Sequence, residues 1–248
     1  MARTGFFHHI GTFFLFAATV LLIITDISAP VVSSISLLRV DLGPSRRADL
    51  FRDDDNDHIP SITFGTFGYC TQNIQASGST SCSHSKIGYD PVAVIENELG
   101  IGGVSDYAHD TARGLTKVMI LHPIATGLAF ISFLLALGAG FVGSLLASLG
   151  SLLTFVVVLV VLVTDLVCWA IIRSEVNGNN NSRNWDVHAY WGAASWTTLA
   201  AAILCLLATA ILFFTCCSAR LHRRRESRYR ETKIASSSSR SPPRGRYF

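Results

Sequence analysis

The sequence predicts an all-α transmembrane protein: four membrane-crossing helices, a folded loop outside the membrane and a basic tail inside. Three observations carry this. Only 15% of the 248 residues are charged and 50% are hydrophobic, whereas a soluble domain carries about a quarter charged residues. The missing charge is absent from a few long apolar runs, each near or above the ~20 residues that span a bilayer. The remaining charge is split by sign. Residues 30–117 hold seven Arg/Lys against eleven Asp/Glu, a net of −4, and residues 218–248 hold ten against two, a net of +8.

The first run, about 6–29, is interrupted only by His8, His9 and Asp26. Arg3 ahead of it and Ser28-Ala29 at its end also suit a cleaved signal peptide. Pro30 would then follow the cut, which disfavours cleavage, and the run is long for a signal segment. An uncleaved helix is the expectation.

Residues 30–117 are too many for a plain connector. They contain β-like pieces at 35–42 and 62–70 and a turn at Gly88-Tyr89-Asp90-Pro91. Residues 105–117 have helical spacing, with Ser105 as N-cap.

No Asp, Glu, Lys or Arg lies between Lys117 and Asp165, and apolar sequence continues to Ile172. One helix of that length would be roughly 80 Å long, more than twice a bilayer core. The chain must fold back, and the small-residue stretch 138–144 is the expected hairpin. That places helices at about 118–137 and 149–172. Residues 173–190, Asn-rich at 177–184, form a second outer loop. The last run, about 191–217, opens on an aromatic belt of Trp185, Tyr190, Trp191 and Trp196. Residues 1–217 thus form the membrane domain. Residues 218–248, rich in Arg and Ser, cannot bury a core and are expected to be disordered.

Arg220, Arg223, Arg224, Arg225, Arg228 and Arg230 follow the last run, so that end is assigned to the cytoplasm. Four crossings then put the N-terminus inside, as Arg3 suggests, and both long loops outside. Asn180-Asn181-Ser182 is a glycosylation sequon at Asn180 on that outer side.

Six cysteines fall into three groups. Outside the reducing cytosol Cys70 and Cys82 most simply form a disulfide. Cys168 and Cys205 read as small core residues. Cys216 and Cys217, at the inner edge of the last helix, suit S-palmitoylation; the alternative is ordinary helix-end residues.

The densest signal is Phe64-Gly65-Thr66-Phe67-Gly68-Tyr69-Cys70, then Cys82, then Ile87-Gly88-Tyr89-Asp90. Leu115-Thr116-Lys117, His122-Pro123-Ile124-Ala125 and Thr164-Asp165 follow. This ordered set resembles the fungal SUR/PalI family (the pali domain), its PalI branch in particular, over roughly residues 6–217. More loosely, Gly65-Thr66-Phe67 with Cys70 and Cys82 is similar to the Gly-Leu-Trp…Cys…Cys signature of claudin-like proteins, with Phe67 in place of the Trp. The resemblance implies a four-helix bundle capped by a small extracellular β-sheet that the disulfide staples. It also implies a fungal plasma-membrane protein. PalI-type proteins assist ambient-pH signalling by supporting a larger seven-helix sensor, and SUR-type relatives organise cortical membrane domains.

Ionisable groups in apolar helices are costly and are functional candidates. Asp26, His122 and Asp165 are the three, and the predicted topology puts them at one depth. One reading is a buried His122–Asp165 contact whose protonation follows external pH. The other is that the two acids only fix helix packing. Gly138, Gly140 and Gly143 suit a turn or close helix packing. The acidic run Asp53-Asp54-Asp55-Asn56-Asp57 fails as an EF-hand, because His58 and Phe64 stand where Gly and Glu are required. It reads as a solvated loop. Basic residues beside a membrane attract anionic lipid, at about 1 kcal/mol each, and phosphorylating Ser236, Ser237, Ser238 or Ser239 would weaken that.

No nucleophile motif, nucleotide loop or metal-ligand spacing appears, so no enzyme, cofactor or metal is expected. The membrane accounts for the arginine-rich tail without nucleic acid. The expected partners are the lipid bilayer and another integral membrane protein, either the pH sensor or cortical-domain proteins, with homo-oligomers as a further option. A small channel or transporter is the alternative of a different class; few polar residues along any helix face count against it.

Overall fold

The computed structural model describes residues 6–42, 60–73, 79–99, 106–138, 141–183 and 187–238. The acidic run at 53–57, Ser105, Gly140 and Trp185 lie outside these residues, as do positions 239–248. The elements in order are α1 (Phe6–Asp26), β1 (Leu38–Asp41), β2 (Ser61–Phe64), β3 (Tyr69–Gln72), β4 (Ser81–Cys82) and α2 (Pro91–Leu99). Then come α3 (Asp106–Val118), α4 (Leu121–Leu137), α5 (Phe141–Arg183), β5 (His188–Trp191) and α6 (Ala193–Ser238).

Four helical stretches are long and apolar enough to cross a membrane: His8–Asp26, His109–Leu137, Leu145–Asn177 and Ala193–Cys217. The second counts α3 and α4 together. Asp110, Arg113 and Lys117 make α3 polar, so the crossing part is α4. α1 packs on α4 and α6, and α5 packs on the same two, which closes a four-helix ring.

The interior of this ring mixes small residues with a few large ones, Leu15, Leu22 and Leu212 among them. Ala18, Ala125, Ala129, Ala201, Ala208 and Cys205 are buried, while Phe13, Phe16, Ile131, Leu153, Val163 and Phe214 point outward. Water does not drive helices together inside a bilayer, so close approach of small side chains supplies the attraction. α5 comes close to α4 at Gly150, where a Cβ would lie 2.7 Å from Ser132 Oγ. Gly138 has the turn role: its N–H donates to Leu135 O at 3.2 Å and closes α4.

The hairpin is shorter than sequence predicts. α5 starts at Phe141 instead of about 149, through Val142, Gly143 and Ser144, so packing and not helix propensity sets this end. α5 also continues to Arg183 through the segment expected as a loop. Its polar residues are used for docking: Arg173 Nε donates to Ala189 O at 3.2 Å, and Asn177 Oδ1 accepts the Ala189 N–H at 2.9 Å. At the far end α6 runs on to Ser238, so residues 218–238 are helical where disorder was expected.

The sheet has the order β4-β3-β2-β1-β5, all neighbours antiparallel. The predicted strand over 62–70 is a hairpin, β2 and β3 joined by a turn in which Gly65 N–H donates to Gly68 O at 2.8 Å. β5 was not expected; its pairing of Leu38 with Trp191 and Asp41 with His188 brings the belt aromatics Tyr190 and Trp191 into the sheet. Cys70 and Cys82 face each other across β3 and β4 and are disulfide-bonded, with their Cα atoms 4.0 Å apart. The result is the claudin-like arrangement, a four-helix bundle with a stapled sheet at one end.

Replacing Cys70 and Cys82 together by Ser should lower stability by about 3 kcal/mol, the entropy of one short closed loop. Thermal unfolding in detergent checks this. A reductant should lower the midpoint of the native protein and leave that of the variant unchanged.

Candidate functional site

The sheet rests on α5 and on the turn before α2 through a cluster of rings. β2 buries every residue, and Phe64 at its end is fully enclosed. Its ring stacks on Tyr89 with centroids 6.4 Å apart and planes 4° off parallel. Trp169 of α5 lies 5.8 Å from the same ring, and Tyr69 6.3 Å. Aromatic pairs of this kind add about 1 kcal/mol each beyond the area they bury.

Hydrogen bonds lock the cluster. Tyr89 Oη donates to Gly65 O at 2.8 Å, and Thr116 Oγ1 donates to Tyr89 O at 2.7 Å. Burial above all, then the nearby Cys168 and Asp165, raises the Tyr89 phenol well above its usual value, so it stays a donor. A Cβ on Gly65 would collide with the Ala29 carbonyl, so glycine lets this strand end pass close over the end of α1. Gly88 has a φ of 70°, the left-handed conformation that turns the chain into α2. Asp90 Oδ1 then caps α2 by accepting the Val92 and Ala93 N–H groups, both at 3.1 Å. The motif residues Phe64, Gly65, Gly68, Tyr69, Gly88, Tyr89 and Asp90 are therefore joints between the sheet and the helices. Phe67 is half-buried, and its carbonyl accepts the Lys86 N–H at 2.8 Å.

Beneath the rings lie His122 and Asp165, 1% and 2% exposed. Pro123 explains where His122 sits. It has no N–H to give Met119 O, so helix geometry breaks at Met119 and Ile120 before α4 begins. His122 Nε2 is 3.2 Å from Asp165 Oδ2. The two are in contact but poorly aligned, since neither of these atoms, nor His122 Nδ1, has a partner of hydrogen-bond geometry. Trp169 Nε1, one turn along α5, is buried without a partner as well. Buried polar atoms in this condition are costly and concentrate where structure is strained or functional.

Asp26 does not join that pair. Its Oδ2 accepts from Thr126 Oγ1 at 2.6 Å. The same hydroxyl lies 3.1 Å from His122 O, and its one proton favours the shorter contact. The groups therefore share a depth, but they form two contacts instead of one triad. Next to Asp26 in the chain is a string of polar contacts that sequence reading missed. Thr25 Oγ1 is 2.9 Å from Thr197 Oγ1, and Thr66 Oγ1 donates to Thr25 O at 3.1 Å. Ser28 Oγ is 3.1 Å from Thr66 Oγ1. Threonines at the edges of apolar helices were the available signal. No group of three or more His, Cys, Asp or Glu able to hold a metal occurs among the described residues.

A model of the SUR7/PalI family matches residues 7–219. The chain belongs to the SUR7/PalI family. Among curated relatives, the pH-response regulator protein palI/prr-5 of Neurospora crassa is 28% identical over 214 residues, covering 85% of this chain and 26% of that protein. The pH-response regulator protein palI/RIM9 of Pyricularia oryzae is 26% identical over 201 residues, 77% of this chain and 21% of that protein. Its counterpart in Emericella nidulans is 30% identical over 128 residues, 52% of this chain and 18% of that protein. The chain spans about a quarter or less of the length of these relatives. The family match covers all four spans, and the chain is a multi-pass membrane protein.

The remaining candidate residues lie apart from the ring cluster. Cys216 is half-buried and Cys217 exposed midway along α6, where its apolar stretch stops. Cys168 and Cys205 are buried. Asn180 belongs to the last turns of α5, and its side chain lies outside the described residues.

Changing Tyr89 to Phe keeps the ring stack and removes the donor to Gly65 O. Leaving that carbonyl buried and unpaired should cost about 1–3 kcal/mol. Thermal unfolding of the purified variant measures it; an unchanged midpoint would mean that the bond adds nothing.

Proposed function

We propose that this chain is a non-enzymatic plasma-membrane accessory protein that assists ambient-pH signalling by supporting a larger membrane sensor. The carrying observation is the match of most of its length to fungal proteins named pH-response regulators. The sheet and its disulfide face outward, where disulfides persist, and the arginines after the last span hold both termini in the cytoplasm. The protein works through lateral contacts of its helices and through the stapled sheet.

A second reading, organiser of cortical membrane domains, is favoured by the SUR7 half of the matched family. Deleting the gene in its host separates the two. Alkaline sensitivity with a mislocalised sensor supports the pH role. Normal alkaline growth, with the tagged protein in stable cortical patches, supports the organiser instead.

The His122–Asp165 contact is the proposed intramembrane element of the pH response. Asp165→Asn keeps the size and removes the charge. It should leave expression and localisation intact and abolish alkaline growth. Loss of the folded protein would instead assign the contact to packing alone.

A further inference from the structure

α2 and α3 pack on each other beside the sheet, outside the apolar spans, and a single imidazole joins them. His109 Nδ1 of α3 is 2.9 Å from Asp90 Oδ2, and its Nε2 is 3.0 Å from Glu96 Oε2 of α2. A neutral imidazole has one N–H. In that form one of the two contacts would set a ring lone pair against a carboxylate oxygen, which repels. Only the doubly protonated ring donates to both acids. Asp90 is doubly committed, since its other oxygen caps α2.

We propose that His109 is a proton-operated clasp between α2 and α3, closed when the imidazolium bridges Asp90 and Glu96 and opened when the proton leaves. The charged groups that face it are Asp90 from the turn ahead of α2, Glu96 on α2, and Arg113 on α3 with its Nη2 3.6 Å from Asp90 Oδ2. Asp106 and Asp110 on α3 are exposed. After His109 discharges, one ring N–H remains; the contact to Asp90 is the shorter of the two, so the His109–Glu96 contact is the one that opens.

The His109 side chain is 23% exposed, so water delivers and removes its proton directly. His122, at 1% exposed, has no such access. The hydrogen bond to Asp90 first, then the charges of Asp90 and Glu96, raise the His109 pKa above 6.5, against a smaller opposing effect of burial. A raised folded-state value means that the clasp is complete below the ordinary histidine range and is lost as pH rises through the raised value. That direction suits an alkaline signal. As a detector for that signal the clasp rests on the function proposed above; as a clasp it rests on geometry alone.

Hydrogen exchange on the full chain in nanodiscs tests it, with rates corrected for intrinsic pH dependence. Amides of α2 should exchange roughly threefold to tenfold faster at alkaline than at mildly acidic pH, the scale of one partly exposed charged hydrogen bond. His109→Gln should hold α2 at the faster rate at every pH. Identical pH profiles in the native protein and this variant overturn the clasp. If His109→Gln does not fold, Glu96→Gln serves. Histidine NMR should then show a lowered His109 midpoint, and an unchanged midpoint overturns the proposal. A host carrying His109→Gln in which the alkaline response stays off at acidic pH, with the α2 profile flattened, sustains the clasp and counts against the signalling reading.

Discussion

Everything at the sheet end depends on how the strands are seated on the helices. Phe64 is the pivot: it is covalently part of β2, stacked on Tyr89 and in contact with Trp169 of α5. Tyr89 in turn holds Gly65 O and is held by Thr116. One ring thus connects the sheet, the turn into α2, the end of α3 and the long helix α5. The same seating roofs His122 and Asp165, which accounts for their burial near the end of a membrane span. Without the roof, water would reach both groups and their mutual contact would lose its force.

The seating and the clasp differ in a way that matters for a protein in a pH-response family. His122 and Asp165 are sealed and poorly aligned, an arrangement that stores unpaired polarity. His109 is partly exposed and lies within 3.0 Å of an oxygen of each of two acids. The two are linked through chemistry already described. Asp90 follows Tyr89 directly in sequence, so a change at the His109 side of the turn acts on the backbone that carries the ring over Phe64.

The membrane plan was legible because apolar runs of spanning length and a charge-free stretch between Lys117 and Asp165 leave few alternatives. The Cys70–Cys82 pairing was legible for the same reason, since few partners were available. β5 was not, because Tyr190 and Trp191 suit both a membrane interface and a strand, and only pairing with β1 decides between them. The length of α5 was obscured by asparagines that favour loops when unpartnered but here include Asn177, which accepts the Ala189 N–H. The meeting of His122 with Asp165 was anticipated from shared depth, whereas Asp26 was drawn aside by Thr126, a neighbour that depth alone does not reveal. His109 drew no notice because a histidine on a polar helix is ordinary until its two acids come from another part of the chain.

The strand order has a consequence for biosynthesis. β1 is flanked by β2 on one side and by β5 on the other, yet β5 leaves the ribosome only after α5 is complete. Until then one edge of β1 has open backbone donors and acceptors, the condition that invites pairing with a foreign strand. β5 is separated from α6 by Gly192 alone, so closing the sheet and threading the last span are neighbouring events in time. The nascent chain therefore completes its sheet and its helix ring only once β5 and α6 have been made.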